Sequence, residues 1–384
     1  MVKRDFWLER INQALLRKNV VWFTGVRRSG KTTLCRQLGD VDYFDCELPR
    51  IQRLLDDPEE FFDSRHGRLI VLDEVHKIAN PSAVLKIAAD HYPRLKIVAT
   101  GSSTLAATAK FSDTLTDRKR VVKLTPCNAA DLSALGHGNL RERLLKGGLP
   151  PFLLSPAFDE AAYRDWIDGF WAKDIQEVFK IEKRYGFMKL MELLALQSGG
   201  LFEAQSLTAP CELSRQTVMN YLGALEIAHA AVILRPFSSN PAREIVAAPK
   251  VYFFDTGFIN YFHGRTSLTE SDCGPLWEHF VLNEMLSLVP PEKIHFWRDK
   301  AAHEVDFVVQ GMAGARPIAI ECKWKSRQFS ENSVSVFRDM YPQSPVIVVA
   351  SDENGARKKT ARRMRDLYYT GLEGLPALLK SFPN

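Results

Sequence analysis

Short apolar runs and amphipathic segments alternate along the first third of the chain. Five runs have the length and composition of strands: Asn19–Thr24, Tyr43–Cys46, Leu69–Leu72, Leu95–Thr100 and Val121–Leu124. In Leu69–Leu72 the apolar residues follow one another without polar alternation, which is typical of a strand buried on both faces of a parallel sheet. The pattern therefore predicts that residues 1–150 form an α/β domain around a parallel sheet.

The middle third has a helical pattern. Pro150 and Pro151 cannot continue a helix and mark its boundary. Large apolar side chains then recur at near-helical spacing from Tyr163 to Phe179, and Phe187–Leu196 predicts a further amphipathic helix. These apolar and aromatic positions are interpreted as core packing, so residues 151–255 are expected to form a largely helical region.

The end of this middle region predicts a winged helix. Ser214 is a good N-cap for a helix that runs to about Ile227. Two β-rich runs follow it, Ala231–Leu234 and Val251–Phe254. The groove-facing side chains of the recognition-like helix would be Arg215, Gln216 and Asn220. Winged helices read DNA but also serve only as protein contacts, so both functions stay open.

The last third, residues 256–384, predicts a second α/β domain. A helix begins near Leu276, and three β-like runs follow: Ile294–Trp297, Glu304–Val309 and Pro317–Trp324. A basic run over residues 357–365 is expected to form a helix in which Lys358, Arg362 and Arg365 share one face. That face is either solvated or a track for a phosphate backbone.

Composition narrows the class of protein. The 384 residues carry a net charge of +5, which permits nucleic-acid contact but is far from a histone-like excess. An apolar run of about 18 residues, as a membrane-spanning helix needs, does not occur, and the N-terminus lacks the apolar core of a signal peptide. The six cysteines form no C-x-x-C pair. We therefore expect reduced thiols, a cytoplasmic location and no membrane partner.

A phosphate-binding motif follows the first predicted strand. Residues 25–32 match G-x-x-x-x-G-K-[ST] at every fixed position, between a strand and a helix. The two glycines let backbone N–H groups point at phosphate oxygens, and the helix adds its N-terminal dipole. Lys31 would neutralise the β- and γ-phosphates and Thr32 would ligate Mg²⁺. The predicted nucleotide-binding residues here are Gly25, Val26, Arg27, Arg28, Ser29, Gly30, Lys31, Thr32 and Thr33.

Two carboxylates end the strand that begins at Leu69. In open α/β sheets, ligands bind at this carboxyl edge. Asp73 is predicted to hold Mg²⁺, and Glu74 to orient and deprotonate the attacking water. Ser102, after the next strand, either reaches the γ-phosphate or caps the following helix. An arginine of the basic loop before the fifth strand, Arg118 or Arg120, either senses the charge of a phosphoryl group or is simply solvated. In the first case the phosphoryl group can also belong to a nucleotide on a neighbouring subunit of a homo-oligomer.

These motifs resemble P-loop ATPases of the AAA/STAND branch, because a glutamate directly follows Asp73 and the next strand ends in polar residues. More narrowly, the chain is similar to a prokaryotic family of predicted ATPases with a C-terminal domain of unknown function. The similarity extends through Leu115–Arg118, Leu124–Pro126 and Gly147–Pro150. It departs from the family at Asp117, where glycine is usual before the arginine. It also departs at Lys173, because the family helix usually carries Arg-Asp-Ile where this chain has Lys173-Asp174-Ile175, so no role is carried over to that helix.

The C-terminal region has carboxylates and a lysine in a nuclease-like order. Residues two apart on a strand face the same side, so Glu321 and Lys323 project together, and Asp306 on the adjacent strand can meet them. Glu278 would enter from the helix. This resembles the PD-(D/E)xK nuclease fold, which implies that Glu278, Asp306 and Glu321 hold Mg²⁺ while Lys323 assists cleavage. The alternative is a salt-bridged lysine that only stabilises the sheet.

The sequence thus predicts an ATPase that uses ATP and Mg²⁺, releases ADP, and carries a C-terminal nuclease-like domain that acts on or senses DNA. The alternative is a nucleotide-dependent switch that engages a protein partner and has an inert C-terminal site. DNA stimulation of ATP hydrolysis would favour the first hypothesis, and stimulation by a protein partner alone would favour the second.

Overall fold

The computed structural model describes residues 2–65, 67–101, 115–179, 181–238, 248–311, 316–361 and 364–382. A five-stranded parallel sheet forms the N-terminal part, in the order β2-β3-β4-β1-β5. Its elements are α1 (Asp5–Arg17), β1 (Val20–Gly25), α2 (Lys31–Cys35), β2 (Val41–Asp45), α3 (Pro49–Leu54), α4 (Pro58–Asp63), β3 (Leu69–Asp73), α5 (Pro81–His91), β4 (Lys96–Thr100) and β5 (Lys119–Leu124).

The parallel sheet is buried on both faces, as its continuous apolar runs predict. Alternate residues of β1 enter opposite cores: Val20 and Trp22 pack on one side, Val21 and Phe23 on the other. Because all five strands run in one direction, their carboxyl ends meet at one edge, where β1 passes into the glycine loop. The fold prediction of an α/β domain with a parallel sheet is confirmed for this part of the chain.

The middle region is mainly helical. It contains α6 (Ala129–Ala134), α7 (Leu140–Lys146), α8 (Pro150–Leu153), α9 (Glu160–Phe170), α10 (Glu177–Phe179), α11 (Arg184–Leu196), β6 (Gly200–Leu201), α12 (Thr208–Cys211), α13 (Arg215–Ile227), β7 (Ala231–Leu234) and β8 (Lys250–Phe253). The expected single helix from Tyr163 to Phe179 is interrupted by a π-helical turn over Trp171–Gln176. The strands form a small antiparallel sheet in the order β6-β8-β7, and Ser214 caps α13 as predicted.

A six-stranded mixed sheet forms the C-terminal part, in the order β13-β14-β12-β11-β10-β9. Its elements are α14 (Thr256–Phe262), α15 (Glu270–Leu288), β9 (Ile294–Arg298), β10 (Glu304–Val309), β11 (Ile318–Lys323), α16 (Asn332–Met340), β12 (Val346–Ala350), β13 (Arg357–Ala361), β14 (Met364–Thr370) and α17 (Leu375–Ser381). A continuous apolar core joins this sheet to the helical middle, from Trp166 through Tyr252 to Val349.

The expectation of a basic helix over residues 357–365 is wrong. The segment forms the edge strand β13 and the start of β14, so Lys358 and Arg365 lie on different strands, and Arg362 is outside the described residues. β14 pairs with β12 on one edge, and β13 satisfies the backbone groups on its other edge. The basic side chains of β13 cover the tyrosines of β14, with Arg357 4.6 Å from the Tyr369 ring. Charged residues suit such an exposed sheet edge.

Candidate functional site

The glycine loop lies at the carboxyl edge of the parallel sheet, between β1 and α2. Gly25 ends β1, and a Cβ at this position would lie 2.5 Å from the carbonyl oxygen of Leu124. Gly30 has φ +99°, a left-handed conformation that side chains rarely adopt, directly before α2 begins at Lys31. Both motif glycines are therefore required by the backbone, and the loop ends at the N-terminus of a helix.

Lys31 folds back onto the loop. Its Nζ donates to the carbonyl oxygens of Gly25 at 2.9 Å and Val26 at 3.3 Å. Burial lowers the pKa of Lys31, and the nearby charges of Glu74, Asp174 and Asp73 act in the opposite direction. The ammonium group is thus held at the loop by two neutral acceptors among surrounding acids.

Asp73 is buried at the end of β3, where hydroxyl groups hold both of its oxygens. Tyr43 donates to Oδ2 at 2.5 Å, and Thr100 at the end of β4 donates to Oδ1. The backbone N–H of Glu74 in turn donates to the Thr100 hydroxyl at 3.1 Å. Thr100, the last residue of β4, thus holds Asp73, whereas the role expected for Ser102 stays a prediction. Ser102 lies outside the described residues.

Glu74 has a left-handed backbone conformation, with φ 54° and ψ 43°. Such a conformation is strained for a residue with a side chain and is found most often at functional sites. Its Oε2 lies 3.2 Å from Nδ1 of His76. Burial opposes ionisation of the carboxyl, but His76 and the charges of Lys31 and Lys77 outweigh it, so the pKa of Glu74 is lowered. Glu74 is therefore held as a carboxylate, which a base requires.

The loop also contacts parts of the chain far from it in sequence, and sequence reasoning missed these residues. Arg4, before α1, donates to the carbonyl oxygen of Ser29 at 2.9 Å. Trp166 on α9 donates to the carbonyl oxygen of Arg27 at 3.1 Å. The Arg27 side chain lies 3.5 Å from Asp174 in the π-helical turn. The apolar periodicity of the segment that contains Trp166 and Asp174 predicted only core packing, so it did not connect either residue with the loop.

Arg118 is not brought to the glycine loop. It precedes β5, whose residue Lys119 pairs with Val20 at the start of β1, so it lies at the opposite edge of the sheet. Its side chain bonds to Asp90 at 2.7 Å. Arg120, which pairs with Val21, is exposed and also lies near that edge. Neither arginine lines the loop of its own chain, and a role toward a neighbouring subunit stays a prediction.

On α13 the predicted groove-facing side chains are exposed: Arg215, Gln216 and Asn220. The Gln216 amide donates to the Asn220 side chain at 2.9 Å. The opposite face of the helix is buried through Val218, Leu222 and Leu225, as the apolar spacing predicts. The helix therefore has one polar, exposed face and one apolar, buried face.

Three of the four predicted C-terminal residues lie close together. Lys323 Nζ lies 2.7 Å from Glu321 Oε2 and 3.4 Å from Asp306 Oδ2, and the backbone N–H of Cys322 donates to Asp306 at 2.7 Å. Burial, together with the negative charge of Asp306, raises the pKa of Glu321 to about 8. Oε1 of Glu321 is buried and has no hydrogen-bond partner in the described part of the chain.

Glu278 joins this cluster from α15 and is held by a residue that sequence reasoning missed. The Tyr252 hydroxyl, on β8 of the middle region, donates to Glu278 at 2.5 Å. Burial and the charge of Asp306 raise the pKa of Glu278 to about 7. Across the described residues, no three His, Cys, Asp or Glu side chains are grouped as ligands for a metal ion. None of the helices in the described residues is both long enough and apolar enough to cross a membrane.

Comparison with known proteins identifies the parts of the chain. Residues 17–133 match a family described as an AAA domain. Residues 137–269 and 273–366 match two families described as domains of unknown function, DUF8612 and DUF4143. The uncharacterized protein Rv2008c of Mycobacterium tuberculosis is 30% identical over 336 residues, which cover 84% of this chain and 74% of the relative. The uncharacterized protein Mb2031c of Mycobacterium bovis matches equally.

Solved structures show more distant likeness. The Walker-type ATPase PABY2304 of Pyrococcus abyssi has 14% identity and a TM-score of 0.44, over 68% of this chain and 96% of that chain. Cdc6p of Pyrobaculum aerophilum has 12% identity and a TM-score of 0.29, over 68% and 94% of the two chains.

Proposed function

This chain belongs to the family of the mycobacterial proteins Rv2008c and Mb2031c, and we propose that it hydrolyses ATP with Mg²⁺ and acts on or senses DNA through its middle and C-terminal parts. The N-terminal part is a P-loop ATPase domain, from its AAA-domain match. The observation that carries hydrolysis is the arrangement of Lys31, Asp73 and Glu74 at one edge of the parallel sheet.

ATP binding would use the loop and its lysine. Backbone N–H groups of Gly25–Thr33 would surround the phosphates at the N-terminus of α2, and Lys31 would turn from the Gly25 and Val26 carbonyls to the β- and γ-phosphates. The lysine exchanges two neutral acceptors for anionic ones, which is favourable in a partly desolvated site.

The chemistry of the donor set fits Mg²⁺. The Thr32 hydroxyl and the Asp73 carboxylate are hard oxygen donors, and the hydroxyls of Tyr43 and Thr100 hold the carboxylate in place. When bound, Mg²⁺ neutralises charge on the β- and γ-phosphates. Glu74, kept ionised beside His76, would take a proton from the attacking water.

Two variants test ATP hydrolysis. Lys31→Ala should abolish or severely weaken ATP binding, because the phosphate charge loses its partner. Glu74→Gln should keep binding and lose turnover, by roughly 10²- to 10⁴-fold, because only proton transfer is removed. Binding is measured by titration calorimetry and turnover by phosphate release with Mg²⁺. An equal loss of ATP affinity in both variants would count against Glu74 as the base.

The C-terminal cluster supports a second activity, metal-dependent hydrolysis of a phosphodiester. The specific observation is the buried Oε1 of Glu321 beside Lys323 and Asp306, which has no hydrogen-bond partner among the described residues. A buried acceptor without a partner is costly unless a ligand uses it. Glu278, Asp306 and Glu321 would contribute oxygen ligands, and Lys323 would orient water or neutralise developing charge. The three carboxylates suit Mg²⁺ by donor type, but in the described residues they are not grouped as ligands, so Glu278 would have to leave Tyr252 and move toward Asp306 and Glu321.

The exposed face of α13 supports DNA contact. Helix α11, the short strand β6, helices α12 and α13, and the hairpin strands β7 and β8 follow one another in winged-helix order. Arg215, Gln216 and Asn220 carry hydrogen-bonding groups suited to base edges and phosphates. The same face suits a protein partner, and the salt dependence of binding separates the two, because phosphate contacts weaken steeply with salt.

A further inference from the structure

The π-helical turn over Trp171–Gln176 places an acid against the phosphate-binding loop. π-helical turns inside helices occur frequently at functional sites. This one interrupts the helix between α9 and α10 and contains Asp174, whose Oδ2 lies 3.5 Å from Nη1 of Arg27. The neighbouring helix α9 is fixed to the same loop residue, because Trp166 donates to the Arg27 carbonyl oxygen.

The electrostatic environment of Asp174 is unusual for an acid in a stable ion pair. The side chain is 19% exposed, and Oδ2 has no hydrogen-bond partner within the described residues, since 3.5 Å is too long for a good one. Burial raises the pKa of Asp174, while Arg27 and Lys31 act against that rise. The carboxylate is thus held by weak attraction to two cations, the Arg27 side chain of the glycine loop and the Lys31 side chain at the start of α2.

Phosphates and Asp174 would compete for these cations. A nucleoside diphosphate or triphosphate brings several negative charges to the loop, and like charges repel strongly where water is partly excluded. We infer that Asp174 is a nucleotide-sensing residue: it neutralises Arg27 while the loop holds no nucleotide, and releases Arg27 when the phosphates bind. The inference rests on the proposed function, because it assumes that the loop binds a nucleotide.

The π-helical turn that contains Asp174 is connected through neighbouring residues to α13, whose exposed face carries Arg215 and Gln216. The π-helical turn leads directly into α10, whose Phe179 lines a cavity of about 360 Å³ together with Ile181. The other wall of this cavity is α13, through Asn220 and Tyr221. A shift of the turn would therefore change the packing beside the helix that carries Arg215 and Gln216, and the nucleotide would alter that face without touching it.

The first test is the affinity for ADP and ATP with Mg²⁺, measured by titration calorimetry at low salt. Asp174→Asn removes the competing charge and should tighten both affinities by roughly 5- to 10-fold, in the range of typical coupling between sites. Asp165→Asn is the matched control, because it removes an exposed acid from the adjacent helix α9. An Asp174→Asn variant that binds as the control does, or more weakly, would overturn the inference.

A double-mutant cycle identifies the partner of Asp174. In an Arg27→Ala background Asp174→Asn should change nucleotide affinity less than it does in the wild-type background, because the cation that Asp174 occupies is gone and only its interaction with Lys31 and the phosphates remains. Persistence of the full effect would rule out Arg27 as the contact that is released. Denaturant unfolding of each variant shows whether it is folded, and the sign of the affinity change separates sensing from mere loss of structure.

Amide hydrogen exchange of the wild-type chain measures whether the π-helical turn loosens when nucleotide binds. Amides of residues 175–179 should exchange faster with saturating nucleotide than without it, because the turn loses its anchor on the loop. Unchanged exchange in this segment would overturn the transmission. If instead wild type binds no nucleotide, or Lys31→Ala binds as wild type does, the proposed function itself fails, which is a different result.

Discussion

At the scale of residues, Arg4 connects three elements that are distant along the chain. Its guanidinium group is buried, bonds to both oxygens of Asp131 at 2.8 and 2.6 Å, and donates to the Ser29 carbonyl oxygen in the loop. Asp131 also accepts from the Trp7 indole at 3.0 Å. One cation thus holds the start of α1, the phosphate loop and α6 together.

Arg4→Ala should lower the free energy of unfolding of the nucleotide-free protein by about 3–5 kcal/mol, because it leaves the buried carboxylate of Asp131 without its cation. Lys3→Ala, which removes the adjacent exposed cation, should change that free energy by less than about 0.5 kcal/mol. Chemical denaturation measures both. Equal, small effects of the two variants would show that the pair contributes little to stability.

Residue-level prediction reaches furthest where the chemistry is local in sequence. The geometry of Gly25, Gly30 and Lys31 follows from one motif, because a phosphate loop is built from consecutive backbone groups. Arg4 and Asp174 could not be assigned, because their contacts with the loop depend on how the start of α1 and the π-helical turn pack against that loop. A single sequence contains no signal for such distant pairing beyond a polar residue in an apolar context.

At the scale of elements, periodicity located the strands better than the irregular segments. The apolar run that ends at Asp73 forms β3, and Glu321 and Lys323 share a face of β11 as the two-residue period requires. The helix prediction for the basic segment near residue 358 was wrong, because charge alone has no periodicity. Pairing with β14 makes this segment a strand. The π-helical turn also has no distinct pattern, since one extra residue shifts the apolar spacing only slightly.

The carboxylate cluster on β10 and β11 gives a prediction for that sheet. Wild type should cleave single- or double-stranded DNA with Mg²⁺ or Mn²⁺, and Glu321→Gln and Lys323→Ala should each abolish cleavage while ATP hydrolysis continues. Gel analysis of labelled DNA measures cleavage. Glu292→Gln, which removes an exposed acid of the same domain, is the control.

If wild type leaves every substrate uncut in both metals, the active-nuclease hypothesis fails. Lys323 would then be a structural partner of Glu321 and Asp306, held by two acids whose charges, against burial, raise the pKa of the lysine. Loss of ATP hydrolysis in Glu321→Gln would instead indicate that the substitution disturbs the whole chain.

At the scale of the whole molecule, the three parts are joined through direct contacts. The hydroxyl of Thr24, next to the loop, lies 2.9 Å from Nε2 of His229, just after α13. Tyr252 of the middle region reaches Glu278 of the C-terminal part. The sequence predicted the three parts but not these contacts, because each joins residues that are distant along the chain. Through these two contacts the middle region touches both the strand that leads into the phosphate loop and the C-terminal cluster.

The most direct test of the central claim, that ATP turnover is connected to DNA, is the rate of ATP hydrolysis with and without duplex DNA at several salt concentrations. We predict that DNA raises the rate of wild type at low salt, that the stimulation falls as salt rises because phosphate contacts are lost, and that Lys31→Ala shows no turnover in either condition. A wild-type rate that DNA leaves unchanged at every salt concentration would contradict the account and favour a switch that engages a protein partner.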